Sequence, residues 1–152
     1  MKLRSLDYLF INHPLNKDRK LKSIFLYIKW IINTLVNSKP VIHSFTEKTK
    51  LIVYKNSYGA SGNLICGLLE YNEMLFLLHF LRKEDLFIDV GANIGSYTIL
   101  SAAHIEADTI SVEPYPPAFD KLIENIHINN SQSRVKALLN SSHKCNFLVK
   151  QI

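Results

Sequence analysis

Hydrophobic and polar positions recur along this chain with two periods, one near 3.6 and one of 2, and the change between them divides it into elements. Over residues 20–37, Ile24, Phe25, Ile28, Ile31, Ile32, Leu35 and Val36 line one side of a helix, and Lys22, Lys29, Asn33, Thr34 and Asn37 fall on the other. Leu26 and Trp30 lie on the polar side and blur the stripe. Such a stripe packs on its own domain or, with basic flanks and an interfacial Trp, lies on a membrane surface. Pro40 ends the region. Val41–Phe45 and Lys50–Tyr54 then read as two short strands around a Thr-Glu-Lys-Thr turn. Residues 56–63, Asn-Ser-Tyr-Gly-Ala-Ser-Gly-Asn, read as a loop by composition. From Glu70 to Lys83 the helical period returns, with Tyr71, Met74, Leu75, Leu78 and Leu81 three or four apart.

Beyond that helix, strand and helix alternate. Leu86–Val90 is a short apolar run that stops at a glycine, as a buried parallel strand does. A helix over Ser96–Ala103, a strand over Thr109–Val112, a helix opened by Pro116-Pro117 and a strand over Val135–Leu139 follow, with a further strand at Asn146–Lys150. This order predicts an α/β fold with a Rossmann-like, doubly wound parallel sheet, preceded by a helical and β-hairpin extension. The boundary falls at residue 69. Residues 1–69 carry the basic helix, the hairpin and the Gly-rich loop, and residues 70–152 carry the α/β domain.

Composition narrows the picture. At 152 residues, with 47 % apolar and 20 % charged residues, the chain is an ordinary globular one and neither disordered nor a disulfide scaffold. Cys66 and Cys145 form no CxxC pair and read as unpaired thiols of a reducing compartment. The histidines are nowhere in metal-ligand spacing, so no metal site is expected. Charge is uneven: residues 1–50 hold ten Lys/Arg against three Asp/Glu, and the remainder hold eight against ten. No stretch reaches the roughly 20 apolar residues of a membrane span, and no signal-peptide cleavage site is apparent, so a cytoplasmic location is expected.

The candidate chemistry sits at two strand ends. In such a sheet the ligand lies at the carboxyl ends of the strands. The first end reads Asp89-Val90-Gly91-Ala92-Asn93-Ile94-Gly95, where Gly91 permits a sharp turn and bare backbone against a ligand, and Gly95 a close helix start. Asp89 would repel a pyrophosphate and attract an ammonium. Glu113, at the second strand end, is 24 residues further on and suits the two hydroxyls of a ribose. S-adenosylmethionine, with ammonium, carboxylate and adenosine parts, fits both acids. NAD fits worse, because the third glycine of its G-x-G-x-x-G fingerprint is absent.

Residues 85–98 (Asp-Leu-Phe-Ile-Asp-Val-Gly-Ala-Asn-Ile-Gly-Ser-Tyr-Thr), with Val112-Glu113-Pro114-Tyr115-Pro116-Pro117-Ala118-Phe119 and Leu122…Asn125, resemble the FkbM family of methyltransferases. The resemblance covers about residues 85–150. It implies a class I fold that binds S-adenosylmethionine and O-methylates a sugar or other small-molecule hydroxyl, with no nucleic-acid partner. It further implies that Asp89, Gly91, Ala92, Asn93 and Gly95 hold the methionine end, that Glu113 holds the ribose, and that Pro114 and Tyr115 flank the adenine. The front part, with His13-Pro14-Leu15-Asn16, the Gly59/Gly62/Asn63 loop and Gly67…Glu70, is similar to amino-terminal extensions on some members of that family. The family continues into an acidic I-D-x-E-G strand and a seven-stranded sheet, whereas this chain ends at Ile152. No catalytic residue is assigned. A remnant without catalysis, an NAD-binding oxidoreductase fragment, and a membrane-surface or scaffold protein using the basic helix at 20–37 are the rival readings.

Proximity supplies roughly 7–11 kcal/mol of barrier lowering only when both reactants are held in line. The 152-residue chain alone is therefore expected to show near-background transfer of a labelled methyl group to sugars and polar metabolites. Multiple turnovers by that chain would contradict this expectation.

Overall fold

The computed structural model describes residues 8–37, 39–55, 57–139 and 148–149. A wide turn, Tyr8–Asn12, and a short 3-10 turn, Pro14–Asn16, lead into α1 (Lys20–Val36). The hairpin is β1 (Val41–Ser44) against β2 (Lys50–Val53), antiparallel, followed by α2 (Tyr58–Cys66) and α3 (Tyr71–Phe80). The α/β part then runs β3 (Leu86–Val90), α4 (Ser96–Ile99, continued by wider turns over Leu100–Ile105), β4 (Asp108–Glu113), α5 (Pro116–Ile128), β5 (Val135–Leu139) and β6 (Leu148–Val149). In the sheet, ordered β3-β4-β5-β6, the first three strands are parallel and β6 runs antiparallel to β5. The expected fold class is the one observed. Of the strand expected at Asn146–Lys150, only Leu148–Val149 lies within the described residues, as does neither Cys145 nor its thiol.

Four sequence expectations need correction. The Gly-rich segment is mostly helix: α2 starts at Tyr58 and takes in Gly59 and Gly62. Gly62 belongs there because a Cβ at that position would lie 2.5 Å from Leu69 Cδ2, so its missing side chain lets residue 69 pack against the helix. Next, α3 stops at Phe80 rather than Lys83. The Asp85 carboxylate accepts the Arg82 N–H at 2.7 Å and turns the chain before the strand.

Strand β3 is not buried on both faces. Asp89 points under the crossover helices, while Leu86, Ile88 and Val90 (79 % exposed) point the other way, and no described element covers them.

The fourth correction reverses α1. Its buried side is Ser23 and Thr34, with Leu26, Tyr27 and Trp30 packed against the core, and the apolar stripe read from the sequence faces outward. The buried hydroxyls are satisfied within the helix: Ser23 Oγ donates to Lys20 O and Thr34 Oγ1 to Ile31 O, each at 2.8 Å. Tyr27 adds an edge-on ring contact with Phe10 at 5.3 Å. Trp30 is thus a core contact and not an interfacial residue of the outer face.

One hydrophobic cluster, including Leu51, Val53, Leu64, Ile99, Phe119 and Ile126, joins the hairpin, α2 and both crossover helices. The polar joint is Asn125 on α5, fully buried. Its carboxamide accepts the Ile52 N–H at 2.7 Å and donates to Ile94 O at 2.8 Å. One turn later, Asn129 both accepts the Lys50 N–H and donates to Lys50 O, each at 2.8 Å. Two asparagines four apart on a helix thereby serve the outer edge of β2 as a neighbouring strand would. Asn125→Ala strands one buried donor and one buried acceptor, so it is expected to cost about 2–4 kcal/mol in urea unfolding. Val90→Thr, on the uncovered face, is expected to change stability by no more than about 0.5 kcal/mol. Equal losses would show that Asn125 is not the joint.

Candidate functional site

The turn after β3 is built by sequence-local geometry. Gly91 has φ +79° and Gly95 φ +92°, values that L side chains rarely adopt. Gly95 is doubly constrained, since a Cβ there would lie 2.5 Å from Leu122 Cδ1. The N–H groups of Gly91 and Ala92 both donate to Val112 O, at 2.8 and 3.0 Å, which folds the turn back over the end of β4. Asn93, with φ +53°, then presents its own N–H to Glu113 Oε2 at 2.7 Å.

Glu113 is buried, and its other oxygen accepts the Tyr115 N–H at 2.9 Å. One carboxylate therefore holds the tips of two adjacent strands. Each of its oxygens retains a second lone-pair direction for a ligand hydroxyl.

Asp89 is the second buried acid of the site. Its Oδ2 accepts the Thr98 hydroxyl at 2.6 Å, and Thr98 Oγ1 also meets Ser111 Oγ at 2.7 Å. Burial pushes the Asp89 carboxyl above the ordinary carboxylate range; the Thr98 bond draws it back, and the Glu113 charge adds to the rise.

Asp89, Gly91, Ala92 and Asn93 line one cavity of about 220 Å³. A Cβ at Gly91 would meet nothing within 4 Å, so bare backbone faces open space. Gly95 lies beneath the turn against α5 rather than at the cavity, and Glu113 backs the turn from the β4 side. Pro114 and Tyr115 (63 % exposed) project beyond it.

The opposite wall of the cavity comes from segments that sequence reasoning did not connect with it: Asn63, Glu70, Met74 and Tyr97. The Tyr97 hydroxyl donates to Glu70 Oε2 at 2.7 Å, and burial together with Glu70 raises the Tyr97 pKa. Asn63, buried on α2, donates to Ser96 Oγ at 3.0 Å and accepts the Leu69 N–H at 2.8 Å. Tyr97 belongs to the quoted signature, but nothing local connects it to Glu70, 27 residues earlier. Within the front part, His13 ties the chain before α1 to the segment after α2: its Nε2–H donates to Leu68 O at 2.8 Å while Nδ1 accepts the Leu15 N–H. Cys66 is free and buried, and burial pushes its thiol up to about 12, a poor nucleophile.

Comparison with known proteins gives a fold. No family model matches the chain. Over 56 residues, 37 % of this chain and 20 % of the relative, it is 34 % identical to tRNA(Phe) (4-demethylwyosine(37)-C(7)) aminocarboxypropyltransferase of Pyrococcus horikoshii. Among solved structures it is similar to P. horikoshii TYW2 in complex with MeSAdo, at 18 % identity and a TM-score of 0.53, over 80 % of this chain and 49 % of that one. M. jannaschii TYW2 in complex with AdoMet gives 20 % identity and the same TM-score of 0.53, over 69 % of this chain and 45 % of that one. A Pyrococcus abyssi tRNA (uracil-54, C5)-methyltransferase gives 12 % and 0.51, over 71 % and 25 %. The chain thus has the methyltransferase-like α/β fold. It spans about half the length of the TYW2 structures and a fifth of the curated relative.

The raised pKa of Asp89 has a consequence for stability. An acid whose folded-state pKa is raised favours folding most when protonated. That contribution is fully present below the ordinary value of 3.8 and is lost as pH rises through the raised folded value. Asp89→Asn, which cannot ionise, is expected to melt above the wild type at neutral pH, the gap closing as the solution is acidified toward 3.8. Scanning calorimetry across that range reads it. A lower Tm for the variant at neutral pH would mean that the ionised carboxylate supports the fold.

Proposed function

We propose that the cavity and the two strand tips form a donor site for S-adenosylmethionine, and that the chain belongs to a methyltransferase acting on a hydroxyl of a sugar or small molecule. The observation that carries this reading is the convergence of two buried acids on one glycine turn: Asp89 at the cavity and Glu113 bonded to the Asn93 N–H. Asp89 would receive the ammonium, and Gly91, Ala92 and Asn93 would supply backbone to the rest of the amino-acid end. Gly95 keeps the turn close to α5. Glu113 would accept the ribose hydroxyls with its free lone pairs, while Pro114 and Tyr115 would border the adenine. The finer assignment to the FkbM family rests on the signature over residues 85–98 and 112–125.

When bound, S-adenosylmethionine supplies a methyl group on a sulfonium, so the protein is asked for alignment and a destination for the hydroxyl proton. The chain's own contribution is to orient the donor through paired acids and to narrow the cavity with Tyr97, Glu70 and Met74. An acid at the cavity disfavours a dinucleotide pyrophosphate, which counts against the oxidoreductase reading.

A second reading gives the acceptor as RNA. It is favoured by the basic residues of the front part and by the names of the tRNA enzymes to which the chain is similar.

Calorimetric titration with S-adenosylmethionine, its demethylated product and NAD tests the donor, and tighter binding of NAD would sink the proposal. Because Tyr115 is exposed, Tyr115→Ala is expected to leave Tm unchanged and to weaken adenosyl binding by the roughly 5- to 150-fold that one stacked base is worth. Glu113→Gln is expected to weaken it by about 10- to 100-fold through the charge-assisted bonds it loses. Unaltered affinity in both variants would move the adenosine away from this strand end. Label transfer to tRNA but not to sugars would favour the second reading.

A further inference from the structure

Helix α1 carries two apolar faces, and its own domain uses one. The inner face, with Leu26, Tyr27 and Trp30, packs on the core. The outer face shows Leu21 (85 % exposed), Phe25 (64 %), Ile28, Ile32, Leu35 and Val36 to solvent. At about 100° per residue these six lie within an arc of roughly 120°, along a helix about 25 Å long. Lys20 stands on one shoulder of the arc, and Lys22 and Lys29 on the other, all exposed. From Arg19 to Lys39 there are five basic residues and no Asp or Glu.

We infer that α1 is a membrane-surface anchor that lies in the plane of an anionic lipid leaflet, its outer face among the acyl chains and its lysines at the headgroups. The charge pattern selects this occupant. A second copy docking by the same face would set lysine against lysine with no acid in the helix to compensate. An RNA would satisfy the lysines but leave the aliphatic and aromatic arc in water. A lipid surface satisfies both, because lysine stems lie along apolar surface while their heads stay in water. Among the described residues no helix is long and apolar enough to cross a membrane, so the contact is one of lying on the surface. The anchor is independent of the donor site and is read without any cofactor.

Co-flotation of the full chain with vesicles tests it. The protein is expected to float with an equal mixture of phosphatidylcholine and phosphatidylserine, weakly or not at all with phosphatidylcholine alone, and less as salt is raised. The double substitution Phe25→Ser/Ile32→Ser, on exposed positions, is expected to keep the wild-type Tm and to lower the partition coefficient by at least about tenfold. The triple substitution Lys20→Glu/Lys22→Glu/Lys29→Glu is expected to do the same. Trp30 is the single tryptophan and faces the core, so its emission is expected to stay unshifted when vesicles bind. Failure to float, flotation unchanged by the apolar substitutions, or a blue shift of Trp30 would each overturn the proposal. So would dimerisation in sedimentation velocity that the double substitution abolishes, or tRNA binding that only the lysine substitutions abolish while vesicles are ignored.

Discussion

The fully buried carboxamide of Asn125 ties the front part of this protein to its α/β part. Asn125 has one partner on β2 and one on the glycine turn, and both are backbone groups. A buried amide with unpaired neighbours is costly, so the hairpin, α5 and the turn must hold their relative positions for every one of these groups to be paired. The cavity depends on this arrangement. Its floor is the turn that Asn125 touches, and its far wall is α2, which packs on β2, and the start of α3, which packs on the turns over Leu100–Ile105. Asn63 repeats the device on that wall by joining Ser96 to the backbone of Leu69.

The buried face of the sheet is unusually polar for a parallel sheet. Asp89, Thr109, Ser111 and Glu113 point under the crossover helices, where Thr98 and Ser101 meet them with hydroxyls. Each hydroxyl spends its hydrogen bonds on a neighbour, so burial is tolerated, yet an ionised Asp89 is still less at ease there than in water. The raised Asp89 pKa expresses that cost, and on the proposed reading a bound ammonium would offset it.

Among the described residues, β3 and α1 each leave an apolar face in solvent, and the two differ in kind. On β3 the alternation Leu86, Ile88, Val90 is strand-like and carries no charge pattern that would choose a partner. On α1 the apolar arc is bordered by lysines on both sides, so the chemistry of what covers it can be argued from its shoulders. Hydrophobic area gives the drive to be covered, and the charged border gives the selectivity.

Much of the backbone geometry of the candidate site was legible in residue order, because its devices are local. Gly91 and Gly95 at positive φ, Pro116 at a helix start, and acids closing two strands all act within a few residues of their own backbone, so the type and order of elements from Leu86 to Leu139 followed from the sequence. The sequence also carried the helical period of α1, but a period marks a face without saying which way it turns. That choice was made by Tyr27 and Trp30, which found Phe10 and the core, and by Ser23 and Thr34, whose hydroxyls could be satisfied inside the helix. The segment over Tyr58–Cys66 is helix, and within it Gly62 leaves the space that Leu69 fills, a contact invisible to composition. Glu70 and Tyr97 became one wall of the cavity only when α3 and α4 packed together. Local backbone chemistry decides what an element is, whereas its neighbours, distant in sequence, decide what it faces.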